Sequence, residues 1–209
     1  MNIKTGSAGA KLAPRYRSLL LTNKAFTLVE VIVILAVISI LVAIVTPTVL
    51  KYIAEAQQSR TEEDVRSISV VLNDLIKDTG QYPGSKLPIV ATVQTTFLCS
   101  TGTKLGGSWG DDTTCADLNM HLIENDPSQD GTTGGTGDYR TTGRRKYKGP
   151  YVQVINEDPW GNAYQINAAS LIGGNTSPTW IISAGPNGTF ETVPTATAIA
   201  GDDMGVRLK

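Results

Sequence analysis

The chain has 209 residues, 41% of them hydrophobic, which leaves room for one sizeable core and excludes a large multidomain enzyme. Its 18 Lys and Arg nearly balance 19 Asp and Glu, yet five of the bases lie in the first 25 residues without an acid, leaving 13 against 19, a formal −6, in the rest. That balance argues against a nucleic-acid binder working through phosphate contacts, and one His with two Cys cannot build a multi-histidine centre or a four-ligand zinc site.

In chain order, residues 1–25 form a basic leader containing Lys4, Lys11, Arg15, Arg17 and Lys24. From Phe26 to Leu50 the chain is apolar apart from Thr27, Glu30, Ser39, Thr46 and Thr48. About 20 such residues cross a bilayer core of about 30 Å. The upstream cations predict a cytoplasmic N-terminus and a C-terminal part across the membrane. An uncleaved anchor and a clipped secretory signal both compete for this segment. Against the signal, the apolar run is longer than the usual 7–15 residues, and its best small-x-small site, Ala54-Glu55-Ala56, falls in continuing helix. Against the plain anchor, Glu30 is a carboxylate at membrane depth that asks for a partner.

Residues 51–80 continue as an amphipathic helix, with Val65, Ile68, Leu72, Leu75 and Ile76 on one face, stopped by Gly80 and Pro83. The helix from about 26 to 79 is expected to bend or loosen at Pro47. Residues 81–149 read as a loop-rich region with short strands. In it, GTTGGTGD at 131–138 lacks the Gly-Lys-Ser/Thr of a P-loop, Arg144 to Lys148 reads as a solvated basic face, and His121 as solvent-facing or packed. Residues 150–209 supply strand-like runs at 151–155, 163–167 and 179–183, separated by the turn signals DPWGN and GPNG. The DPWGN turn is expected to aim Trp160 at a core. The fold class is therefore α+β, a long N-terminal helix packed on a small antiparallel sheet. No nucleophile stands with a base, so no enzyme is expected. Cys99 and Cys115 enclose a 17-residue loop. They are expected to pair in an oxidising compartment, adding about 3 kcal/mol in the chain-entropy model, against the alternative of two free thiols.

Lys24-Ala25 followed by Phe26-Thr-Leu-Val-Glu30 resembles the processing site of type IV prepilins, although Ala25 stands where that family usually has Gly. The strings 71–83, 147–166 and 180–188 are similar to the major pseudopilin of type II secretion systems; residues 84–146 depart from its pattern. The resemblance implies a prepilin peptidase that cleaves between Ala25 and Phe26, N-methylation of Phe26, and Glu30 as an assembly residue meeting the new amine on an adjacent subunit. It implies an inner-membrane, single-pass subunit of a homopolymeric periplasmic filament, with minor pseudopilins and the inner-membrane secretion platform as partners and no nucleic acid. It also implies a calcium site formed by the carbonyl of Ala184 with Asn187, Thr189, Asp202 and Asp203, where Asn187 replaces the family's Asp. The alternatives are a type IV pilus subunit and a membrane-anchored binding domain.

Overall fold

The computed structural model describes residues 26–87, 89–90, 93–131, 133–172 and 174–209. The leader 1–25, with Ala25, lies outside them. The chain forms two compact units, Met1–Thr48 and Val49–Lys209, and helix α1, Leu28–Thr79, belongs to both, running through Pro47.

In the first unit α1 opens on Thr27. Its carbonyl accepts the Val31 N–H and its Oγ1 accepts the Glu30 N–H at 3.2 Å, the Thr-x-x-Glu spacing of a capping box. Every described residue to Thr48 is exposed, and the most apolar 18-residue stretch of the helix has a mean hydropathy of 3.2 with nothing covering it. Two of the hydroxyls inside this run turn back onto the helix. Ser39 Oγ donates to the Leu35 carbonyl and Thr46 Oγ1 to the Val42 carbonyl, each at 2.7 Å, so neither brings an unmet donor to an apolar surrounding.

In the second unit α1 becomes a core helix. Val65, Ile68, Leu72 and Leu75, three or four residues apart, form one buried stripe, and they share a cluster with Leu98, Ile166 and Ile181 of the sheet and with Leu118, Leu122 and Tyr139. Polar ties hold the same faces together: Tyr164 Oη donates to Asp64 Oδ2 at 2.8 Å, and Lys148 pairs with Asp78. The helix ends where the Gly80 N–H bonds the Ile76 carbonyl at a φ of 66°, a conformation that favours glycine.

A hairpin of β1 (Ile89–Val90) and β2 (Val93–Gln94) stands apart from a five-stranded sheet. The sheet comprises β3 (Phe97–Cys99), β4 (Cys115–Asp117), β5 (Gln165–Ile166), β6 (Trp180–Ser183) and β7 (Met204–Arg207), in the order β4-β3-β5-β6-β7. Only the β3–β4 pair is parallel. The α+β class holds, with a different membership from that expected. Two of the five strands are short strands of the loop-rich region, as read from the sequence, but they belong to the same sheet as the C-terminal strands, and β7 closes that sheet beyond the C-terminal loop. The run 151–155 is not a strand. Its backbone is held piecemeal, with the Ile155 N–H on Asn119 Oδ1 and the Tyr151 N–H on the Leu122 carbonyl, while β5 pairs with β3 and β6. The Cys99–Cys115 disulfide joins the parallel pair β3 and β4, with its Cα atoms 5.7 Å apart.

Candidate functional site

Two places carry chemistry, and each is built on a local device. At the start of α1, Phe26 is 73% exposed and Glu30 sits in the first helical turn, where the positive end of the helix dipole favours a carboxylate. Among the described residues the Glu30 carboxylate has no ion-pair partner. The segment thus offers a long uncovered apolar cylinder with one acid four residues after the first residue of the apolar run. An isolated soluble monomer does not carry an apolar surface of this extent.

The second place is the loop between β6 and β7, and the DPWGN turn positions it. Asp158, 2% exposed, accepts the Trp160 and Asn162 N–H groups on Oδ1 at 3.0 and 2.8 Å, and the Ser183 hydroxyl on Oδ2 at 2.6 Å. Ser183 Oγ in turn accepts the Gly185 N–H at 3.2 Å. The turn therefore fixes the end of β6 and the start of the loop. Its buried members are Asp158 and Asn162, whereas Trp160 is only half-buried, because the tryptophans of the core are Trp109 and Trp180. These two also hold the middle of the loop. Trp109 Nε1 donates to the Thr192 carbonyl at 2.6 Å and Trp180 Nε1 to the Ala196 carbonyl at 2.9 Å. Trp109 comes from the segment closed by the disulfide, so the apparently divergent middle of the chain supports the C-terminal loop.

The expected ligand residues meet within this loop to different degrees. Ala184 is fully buried at its start, and Gly185 lies so close to Asp202 that a Cβ there would come within 2.2 Å of the Asp202 carbonyl oxygen. The Asn187 N–H donates to Asp202 Oδ2 at 3.1 Å, and Asn187 Oδ1 accepts the Thr189 N–H at 2.6 Å. Asp203, 5% exposed, accepts the Glu191 and Thr192 N–H groups on Oδ2 at 3.0 and 2.6 Å. The remaining oxygens, Asp202 Oδ1 and Asp203 Oδ1, are buried without a hydrogen-bond partner. Burial, with the nearby charge of Glu191 adding to it, pushes the Asp203 carboxyl above its ordinary value against the pull of the Thr192 hydroxyl and of its two N–H donors. Two orphaned carboxylate oxygens beside a third acid fit a hard cation, because oxygen donors are what calcium takes. Glu191 was not singled out from the sequence, where only its separation from Asn187 could have marked it.

A second acidic group lies at Asp126, Asp130 and Asp138, whose oxygens come within 4.8 Å of one another. The three acids of the C-terminal loop are not gathered so tightly. In this second group Asp126 accepts from Ser128 Oγ and the Asp130 and Gly131 N–H groups, and Asp138 from the Ser128 N–H and Oγ and the Gly135 N–H. Neither has an orphaned oxygen. His121 is wholly buried with Nδ1 2.8 Å from Tyr139 Oη; burial, then the charge of Lys86, brings its pKa down to about 3, so it is neutral at physiological pH and packed in the core. Arg144, Arg145 and Lys146 are exposed, as expected of a solvated face.

An exposed apolar helix that continues into a core helix on a five-stranded, mostly antiparallel sheet is the arrangement of a type IV pilin-like protein. The family model of the prokaryotic N-terminal methylation motif matches residues 21–46. The model of type II secretion system protein G matches residues 126–201, which takes in the DPWGN turn and most of the C-terminal loop. Together with the fold, the two matches support a type IV pilin-like pseudopilin of type II secretion, a structural family. The second match begins at residue 126, well inside the stretch that departs from the pseudopilin pattern in sequence. No curated protein and no solved structure gives a significant match to the chain.

Proposed function

We propose that this chain is a prepilin cleaved between Ala25 and Phe26, methylated on the new Phe26 amine, and polymerised through residues 26–50 into a periplasmic pseudopilus that drives type II protein secretion. The observation that carries this reading is the uncovered apolar start of α1 with Glu30 in its first turn, inside the methylation-motif match. Cleavage creates an ammonium at the positive end of a helix dipole, an unfavourable place for a cation within one chain. A Glu30 carboxylate from a neighbouring copy compensates that charge, and in an apolar filament core the pair is strong because water is excluded. Before assembly the helix anchors the subunit in the inner membrane, with the basic leader cytoplasmic and the sheet domain periplasmic. Its partners are further copies, minor pseudopilins and the inner-membrane secretion platform. Mass spectrometry of the mature protein should find N-methyl-Phe26. Glu30→Leu should insert in the membrane yet lose filaments and secretion, and normal filaments from that variant would overturn the pairing. Loss of surface pili with secretion intact would move the reading to a type IV pilus subunit.

The C-terminal loop is proposed to bind calcium through Ala184, Asn187, Thr189, Asp202 and Asp203. The orphaned oxygens of the two aspartates support it. The ion's role is structural: it supplies the positive charge that lets two adjacent carboxylates each keep an oxygen out of water, and so holds the loop between β6 and β7 closed. Calcium titration of the full-length protein tests it, and a thermal midpoint identical in calcium and in chelator would count against it.

A further inference from the structure

We propose that Glu191 is a direct ligand of the calcium ion in the C-terminal loop, supplying the carboxylate that Asn187 does not. This rests on the calcium reading above.

Without Glu191 the loop offers two carboxylates, those of Asp202 and Asp203. Glu191 is tied to both by different means. Its N–H donates to Asp203 Oδ2 at 3.0 Å, which fixes its backbone beside that carboxylate. Its own carboxylate accepts a hydrogen bond from Asn187 Nδ2, while the Asn187 N–H holds Asp202 Oδ2. A single neutral residue, Asn187, thus bridges the carboxylates of Glu191 and Asp202.

The Glu191 carboxylate lies against a glycine. A Cβ on Gly201, the residue preceding Asp202, would lie 2.6 Å from both Glu191 Cδ and Oε2, and Gly201 has a φ of 64°. Glu191 is solvent-exposed, and an acid free to choose its rotamer moves away from two other acids. Here its carboxylate lies against Gly201 and accepts from Asn187, the residue that also holds Asp202. The independent sign of an ion is Asp203, 5% exposed, with Oδ1 buried and unpartnered, and Asp202 Oδ1 is in the same condition. Asn187 holds two of the carboxylates and the Glu191 N–H holds the third, that of Asp203; like charges so placed repel each other, and a divalent cation turns that repulsion into attraction and takes up the two orphaned oxygens. Asn187 then acts as the residue that orients Glu191.

Calcium titration calorimetry on the full-length protein in detergent, with terbium luminescence lifetimes in light and heavy water, tests this. The unmutated chain should bind one calcium. Glu191→Gln, which keeps the backbone bonds and an acceptor for Asn187, should weaken binding at least ~10-fold and admit about one more terbium-bound water. Adding Asn187→Asp to that variant should recover most of the loss. The infrared difference spectrum of the unmutated chain on adding calcium should show three carboxylates changing band, a readout that requires no variant to fold. Calcium binding with Glu191→Gln unchanged in affinity and water count, or with only two carboxylates responding, overturns the role of Glu191 and leaves the calcium reading standing. No calcium binding by the unmutated chain overturns both.

Discussion

The two acidic loops of the sheet domain solve the same problem in opposite ways. Between Asp126 and Asp138 the buried carboxylates are satisfied from within, by backbone N–H groups of Asp130, Gly131 and Gly135 and by Ser128. Between Ala184 and Asp203 the carboxylates of Asp202 and Asp203 collect only some of their bonds, and two buried oxygens are left over. The comparison teaches that acid clustering alone says little about a metal. A carboxylate that accepts two or three N–H bonds is content in a dry site, whereas an orphaned buried oxygen costs about 1–3 kcal/mol until something positive reaches it.

The comparison breaks most visibly at Asp138. Asp138→Ala strips the Ser128 and Gly135 donors of their acceptor in a buried place and should cost about 3 kcal/mol, a fall of roughly 6–12 °C in the thermal midpoint of a domain this size. The loss should be the same in calcium and in chelator, and a calcium-dependent loss in a melting curve would erase the distinction between the loops.

The next effect is the response of the other loop to the ion. At a free calcium concentration about 100 times its Kd, the unmutated chain should gain about 2.7 kcal/mol over the chelated protein. Asp203→Asn should remove that gain while leaving the chelated protein about as stable as before, because the lost charge was itself unfavourable in its buried place. Differential scanning calorimetry of both forms, with and without chelator, reads this directly.

The smallest effect is in pH. The folded-state pKa of Asp203 is raised above 3.8, so the chelated protein should become more stable as pH falls from neutral through that value, since the folded form takes up the proton more readily than the unfolded one. In calcium the slope should reverse, as protons compete with the ion. Asp111 works the other way. Hydrogen bonds from Thr113 and then Thr114 hold its pKa down to about 2, so its contribution is present above 3.8 and fades between 3.8 and about 2. Denaturant midpoints measured from pH 7 to pH 3 should separate the two: a chelated protein that only loses stability on acidification would contradict the account of Asp203.

Some of this was determined by the sequence alone, because it rests on short-range periodicity and composition. The apolar run from Phe26, the stripe Val65, Ile68, Leu72 and Leu75, the stop at Gly80 and the strands at 165–166 and 180–183 all follow from residues close in the chain, and so does the motif around Glu30. Only the tertiary structure decided the rest. The strand β3 pairs with β4 in parallel from across a disulfide loop and lies beside β5, a partnership between segments some 65 residues apart that no local pattern announces. The run 151–155 alternates like a strand yet is held by Asn119 and Leu122, since strand pairing depends on which edge is free, a property of the assembled sheet. In the same way Trp160 looked like the core residue of its turn, but the buried places were taken by Trp109 and Trp180, whose indole N–H groups found carbonyls in the loop at 192–196. Glu191 came to light for that reason as well: its chemistry depends on its carboxylate lying against Gly201 and on Asp203 Oδ1 lacking a partner, and both conditions exist only once β6 and β7 have brought the two ends of the loop together.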